Sequence, residues 1–247
     1  MTGEELVALF DACAAAQRGA LAGLDPEARR GRTGTVGQYS LDLVADAVVL
    51  PLLHEAGIRV LSEESGWTGQ QDAEITVVLD PVDGSTNCAR GIPYWAISLC
   101  ALDADGALCA LVTNGATGQR NAAIRGLGAW CDDLTMKSAS TQRIEDSVVA
   151  IAGLPDARMA WKQFRALGST ALSLCDVAAG RIDAMLDFVD HQSPWDYLGG
   201  LLIAREAGAA VTDVAGRELV VADPTTTRQL VAAATPALLD DLLAAVA

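Results

Sequence analysis

The spacing of apolar and polar positions divides the chain into alternating helical and extended segments. MTGEELVALFDACAAAQRG reads as an amphipathic helix ending near Gly23, and LDLVADAVVLPLLHEAG as a second helix stopping at Gly57. Pro51 inside the latter predicts a kink or an early turn. The basic stretch between them, LDPEARRGRTGTVGQYS, predicts an exposed loop or hairpin. IRVLSEESG and ITVVLD are short strands that end in acids, and WAISLCALDADGALCALVTNG is a hairpin turning at Asp105-Gly106. Strand character continues to about Trp130, giving an antiparallel or mixed sheet. From Ser147 the order changes: strand VVAIAG, short helix ARMAWKQF, helix GSTALSLCDVAAG opened by Ser169 or Thr170 and closed by Gly180, then strand IDAMLDF. Helix SPWDYLGGLLIAREAG, with Pro194 in its first turn, leads to strands AAVTDVAG and QLVAAAT and a final helix PALLDDLLAAVA. The change of texture over residues 140–146 predicts two lobes, 1–143 and 144–247, packed without a linker in a layered α/β fold.

Composition narrows the function classes. The 247 residues, 51% hydrophobic, suffice for one large domain or two packed closely. No apolar run is long enough to span a bilayer; the segment from Leu201 is broken by Arg205 and Glu206. The first helix carries Glu4, Glu5 and Asp11 and no basic leader, so a soluble cytoplasmic protein is expected. A net charge of −15 repels nucleic acid and anionic lipid, and it obliges any anionic substrate to find a local cation. Six scattered cysteines without a CxxC pair read as reduced, buried thiols. With only His54 and His191 available, a zinc site is disfavoured and any metal should be hard and oxygen-liganded.

Three acidic clusters end apolar segments: Glu63/Glu64, Asp80/Asp83 and Asp196. Taken alone, Glu64 reads as a solvated charge and Asp196 as an acid favoured in a first helical turn. Asp103/Asp105/Gly106 resembles part of a calcium loop but lacks the closing Glu, and a β-turn accounts for it. Asp80-Pro81-Val82-Asp83-Gly84 is different, because a turn requires only one Asp and the Gly. Its spacing puts Asp80 and Asp83 on one side of a tight loop with the Val82 carbonyl between them, three oxygen donors for a hard cation. The amides of Gly84, Ser85 and Thr86 then offer an anion site where a helix would begin.

These residues carry a resemblance. Ser62-Glu63-Glu64-Ser65 is like GEES, Asp80 to Asn87 is like DPxDGTxN, and Trp195-Asp196 is followed by Glu206-Ala207-Gly208. Together with Gly168-Ser169-Thr170-Ala171, Cys175, Ala179-Gly180 and Asp183-Ala184, they resemble the inositol monophosphatase family across nearly the whole chain. The family belongs to a lithium-sensitive, metal-dependent phosphatase superfamily that includes fructose-1,6-bisphosphatases. The resemblance implies an alternating αβαβα sandwich and a Mg²⁺-dependent phosphomonoesterase acting on a small polyol, cyclitol or sugar phosphate. It implies that Glu63, Asp80 and the Val82 carbonyl hold one Mg²⁺, that Asp80, Asp83 and Asp196 hold a second, and that a third binds near Glu63. Ser85, where Thr is usual, would help Glu63 deprotonate the attacking water, with Asp83 also catalytic, and the Gly84 and Ser85 amides would bind the phosphoryl group. Gly168, Ser169, Thr170 and Asp187 would meet the substrate's ring, and a homodimer is implied.

The departures concern specificity. Tyr39 and Ser40 replace the usual Val-Thr upstream of Asp42, Thr170 replaces a small apolar residue, and Asp187 is shorter than the usual Glu. His191 lies in a two-residue insertion before Trp195 and reads as a surface-loop histidine. A histidinol-phosphate phosphatase of the same family, or a catalytically silent binding protein on this scaffold, are the alternatives.

Overall fold

A computed structural model describes residues 1–35 and 37–246. In chain order these form α1 (Gly3–Ala22), α2 (Pro26–Arg30), α3 (Ser40–Glu55), β1 (Arg59–Ser62), β2 (Gly66–Gly69), β3 (Thr76–Asp83), α4 (Ser85–Arg90), β4 (Ala96–Asp103), β5 (Gly106–Asn114), β6 (Arg120–Ile124), β7 (Gly128–Cys131) and β8 (Leu134–Thr135). The second part adds β9 (Val148–Ala152), β10 (Gln163–Arg165), α5 (Thr170–Ala178), β11 (Ala184–Asp187), α6 (Pro194–Glu206), β12 (Ala210–Asp213), β13 (Leu230–Ala233) and α7 (Pro236–Val246). One mixed sheet runs β2-β1-β3-β4-β5-β6-β7-β8, and another runs β10-β9-β11-β13-β12.

Strand alternation explains the layers. Val77 and Leu79 of β3, with Ile97 and Leu99 of β4, point to one face and pack against Leu6 and Phe10 of α1 and Val49 and Leu53 of α3. Val78, Cys100 and Val112 point to the opposite face, against Leu174 of α5 and Leu198 and Leu201 of α6. That helical pair is also covered by Met185 and Ala232 of the second sheet. The sheet's far side, through Val149, Leu186 and Val231, takes Leu238 and Leu242 of α7. The result is an αβαβα sandwich whose two sheets share the α5–α6 layer. Within α6, Gly199 and Gly200 make the close approach possible: a Cβ at Gly199 would stand 2.6 Å from Ser98 Oγ, and one at Gly200 2.7 Å from Leu174 Cβ. Two interior glycines weaken a helix by about 1 kcal/mol each relative to alanine, and here that cost is offset by packing on both faces.

Four local expectations change. Residues 157–164 are not a helix: 163–165 form edge strand β10, parallel to β9 with Gln163 opposite Val148, and Trp161 packs its ring on Phe164 and Phe188. Backbone pairing and aromatic contact outweigh the helical propensity of a segment too short to hold a helix alone. Pro51 does not end α3, which continues to Glu55. The hairpin turns at Ala104-Asp105, because Asp103 pairs with Gly106. The stretch after α1 keeps the expected hairpin, as an antiparallel bridge between Arg32 and Tyr39, but also contains α2, capped by Asp25 accepting from the Glu27 and Ala28 amides.

Candidate metal centre

The site starts at the C-terminal rim of β1 and β3, which run parallel with Ser62 opposite Leu79. That register brings Glu63, whose amide donates to the Leu79 carbonyl at 3.1 Å, alongside Asp80. Asp80 is buried and its Oδ1 accepts the Val82 amide at 2.9 Å, which folds the Asp-Pro-Val-Asp segment back on itself. From behind, the fully buried Gln17 of α1 donates through Nε2 to the Pro81 carbonyl at 2.7 Å. The chain then passes Gly84 at φ 90° into α4. No side chain fits there: a Cβ would meet the Gly168 carbonyl at 2.9 Å and that of Tyr94 at 3.1 Å. Asn87 clamps the same contact, its Nδ2 donating to the carbonyls of Tyr94 at 2.7 Å and Leu167 at 2.8 Å.

Asp83 faces the start of α5. Its Oδ2 accepts from Ser169 Oγ at 2.5 Å and the Ala171 amide at 2.7 Å, and Oδ1 accepts from the Thr170 amide at 3.3 Å. Asp196, in the first turn of α6, accepts the Ser193 amide through Oδ2 at 2.5 Å and completes a capping box. Carboxylate oxygens of Asp80, Asp83 and Asp196 all lie within 4.8 Å of one another. Glu63 stands outside that set, at the lip of the same cleft.

Burial pushes the Asp83 carboxyl up to about 6, even against the hydrogen bonds from Ser169, Ala171 and Thr170. Burial, reinforced by Glu63 and Asp83, raises both Asp80 and Asp196 well above the ordinary range, and loss of surrounding water together with Glu64 raises Glu63. Among the described residues, none of these four acids is ion-paired to a Lys or Arg. An oxygen-only donor set at this spacing, with its charge uncompensated, fits a hard divalent cation such as Mg²⁺.

A cleft of about 300 Å³ is lined by Glu63, Asp80, Val82, Asp83, Gly84, Ser85 and Asp196, along with Thr35, Gln38, Asp42 and Glu64. A second cavity of about 300 Å³ shares Asp83 and Asp196 with it and is bordered by Gly168, Ser169, Thr170, His191 and Gln192. Asp187 is not part of either lining. It is buried at the end of β11, where its Oδ1 accepts the Val189 amide at 2.9 Å and its Oδ2 has no partner. A larger cavity of about 550 Å³, beneath the 155–165 segment, brings no acids together.

Sequence reasoning marked Tyr39 and Asp42 only as part of the altered segment upstream of the first acids, and it passed over Gln38 and Asp46. Gln38 donates to Glu64, and Tyr39 accepts from Arg32 at 2.7 Å while its hydroxyl reaches Thr86 Oγ1 at 3.3 Å, tying the preceding hairpin to α4. Asp46 is buried and accepts from Ser62 at 2.5 Å and from Ser65, bracing the turn that presents Glu63. Asp42 is also buried, and that burial pushes it up to about 7. The available signal was two acids four residues apart in an otherwise apolar helix, where neither belongs on packing grounds.

Residues 40–247 match the profile of the Inositol monophosphatase family. A fructose-1,6-bisphosphatase of Pyrococcus furiosus is 32% identical over 190 residues, covering 76% of this chain and 74% of that protein. A fructose-1,6-bisphosphatase/inositol-1-monophosphatase of Archaeoglobus fulgidus is 34% identical over 194 residues, covering 76% and 75%. Among solved structures, a hypothetical protein from Pyrococcus horikoshii with similarities to inositol-1 monophosphatase superposes over 100% of both chains, with a TM-score of 0.90 at 25% identity.

Proposed function

The chain belongs to the inositol monophosphatase family, and from that premise we propose that it is a Mg²⁺-dependent phosphomonoesterase cleaving the phosphate ester of a small polyhydroxy alcohol, cyclitol or sugar. The observation that carries the reading is the gathering of Asp80, Asp83 and Asp196 in one cleft, with Glu63 at its lip and, among the described residues, no Lys or Arg ion-paired to them. Glu63, Asp80 and the Val82 carbonyl would hold one Mg²⁺, and Asp80, Asp83 and Asp196 a second. Bound there, the cations supply a lowered pKa for the attacking water and charge compensation for the departing alkoxide.

The remaining work falls to the chain. Glu63, with Ser85, orients the water and takes its proton. The Gly84 and Ser85 amides receive the phosphoryl oxygens as charge redistributes during an in-line displacement, and the unstrained position of Gly84 lets the backbone come that close. Ser169 and the amides of Thr170 and Ala171 keep Asp83 turned toward the cleft. The P–O bond to the alcohol breaks, the alcohol leaves with a proton, and inorganic phosphate remains; no side chain is phosphorylated. Gly168, Ser169 and Thr170 border the room that accepts the alcohol, and Asp187 acts on it through the loop it shapes.

Phosphate release from a panel of inositol, histidinol, sugar and nucleotide monophosphates, with Mg²⁺ and with EDTA, tests this. At least one polyol ester should be hydrolysed only with Mg²⁺. Failure on every ester would leave a silent scaffold.

A further inference from the structure

The second cavity has a wall that the catalytic reading does not use. Residues 188–192 leave β11 and lead to α6, and they are tied down at three points. Asp190, at φ 49°, occupies the left-handed region that few non-glycine residues adopt. Arg217 holds it there, with Nη2 2.7 Å from Asp190 Oδ1 and 2.6 Å from Oδ2 of Asp213, whose side chain is sealed from solvent. Gln192 bridges Arg228 through backbone bonds in both directions, at 3.2 and 2.9 Å. Asp187 accepts the Val189 amide from the near side. A wall fixed this way can hold a ligand-reading geometry.

The chemistry this wall presents is specific. Gln192 Oε1 accepts from Thr170 Oγ1 at 2.6 Å, while its amide nitrogen makes no hydrogen bond among the described residues, leaving an N–H donor at the cavity. His191 Nδ1 lies 3.0 Å from the Asp190 carbonyl. A carbonyl only accepts, so Nδ1 carries the hydrogen and Nε2 is the ring's acceptor position. A donor next to an acceptor matches an alcohol hydroxyl, which both accepts and donates. It does not match a phosphate dianion, which only accepts. The two cavities are lined, among the described residues, by no Lys or Arg, and Asp83 and Asp196 belong to both.

We propose that the loop from Phe188 to Gln192 is the specificity element for the alcohol half of the ester: it admits a neutral, hydroxyl-bearing leaving group and rejects one carrying a second phosphate. Gln192 and His191 read the hydroxyls, and Asp190 and Arg217 are positioning residues. This rests on the phosphomonoesterase reading. It also sets the chain apart from relatives whose names specify a bisphosphate.

The test compares kcat/KM, with Mg²⁺, for fructose 1-phosphate, fructose 1,6-bisphosphate and p-nitrophenyl phosphate, whose aryl group has no hydroxyl to read. The wild type should favour the monophosphate over the bisphosphate by about tenfold or more. Gln192→Ala should lose about tenfold more on fructose 1-phosphate than on p-nitrophenyl phosphate, and His191→Arg should narrow the gap to the bisphosphate. Asp190→Asn, which tolerates the same backbone but loosens the tie to Arg217, should raise KM for fructose 1-phosphate severalfold with kcat retained. Equal losses on both monoesters in Gln192→Ala, or a wild type that takes the bisphosphate as well as the monophosphate, overturns the proposal while p-nitrophenyl phosphate turnover shows the enzyme intact. Absence of turnover on all three esters overturns the phosphatase reading itself, and this inference with it.

Discussion

Asp83 answers to three donors, Ser169 Oγ and the Thr170 and Ala171 amides, all of which an ionised carboxylate accepts without conflict. Asp83→Asn turns an NH₂ toward at least one of them and removes a charge from the metal set. We expect turnover to fall by about 10³-fold or more, and stability by about 1–3 kcal/mol from the mismatched donor. Phosphate release and a thermal melt check the two parts separately. Asp213 gives a cleaner pH signature. Burial alone would raise its carboxyl, but hydrogen bonds from the Arg217 side chain and from the Arg217 and Gln229 amides outweigh that and hold it down at about 2. Because the folded value is depressed, the stability it contributes is present above the unfolded pKa near 4 and is lost as pH falls toward 2. Asp213→Asn should therefore melt well below the wild type at pH 7, with the gap closing as the pH falls from 4 to 2 in parallel denaturant titrations. Asp80 and Asp83 could be read from the sequence because they sit three apart at the end of an apolar strand, where packing alone would not place them. Gln192 could not, since its meaning depends on the hydrogen bond from Thr170, twenty-two residues away and on another element.

The bend between β3 and α4 and the start of α5 are fitted to each other without spare room. Gly84→Ala would force a residue at φ 90° and push its Cβ against two backbone carbonyls, neither of which can swing aside. A loss of about 1–3 kcal/mol in urea unfolding is expected, with initial rates falling more steeply because the phosphate-facing amides move with the bend. The buried helices and strands were legible as apolar runs bounded by turn or cap residues, β3 and β4 as short ones and α6 as a longer one opened by Ser193-Pro194. The 157–164 segment was not. Met159, Trp161 and Phe164 have spacings that suit a helix as well as an edge strand, and only the pairing of β10 with β9 and the Trp161–Phe188 contact decide between them. Tyr39 is a comparable case: the sequence marks it as a departure, and its link to Thr86 becomes visible only once the hairpin and α4 are in place.

At the scale of the molecule, a net charge of −15 and a cleft that concentrates unpaired acids mean that cation binding and folding are coupled. No helix among the described residues is long and apolar enough to cross a membrane. On the proposed reading, Mg²⁺ binds the folded cleft and finds no such array in the unfolded chain. It should therefore raise the melting temperature in a concentration-dependent way, by about 2.7 kcal/mol of stability at a hundredfold excess over Kd. Sodium at matched ionic strength should not reproduce this shift. The layered architecture was legible in outline because each sheet face has its own apolar set. The sharing of α5 and α6 between the two sheets was not, because a helix apolar all round looks the same in sequence whichever layers enclose it. The account stands on one claim: Glu63 just after β1, Asp80 and Asp83 of β3 and Asp196 of α6 form one centre for divalent cations. Isothermal titration of Mg²⁺ into EDTA-stripped wild type and Asp80→Asn tests it most directly. Saturable binding in the wild type, lost in the variant while its circular dichroism is unchanged, is the predicted result; superimposable isotherms for the two proteins would contradict it.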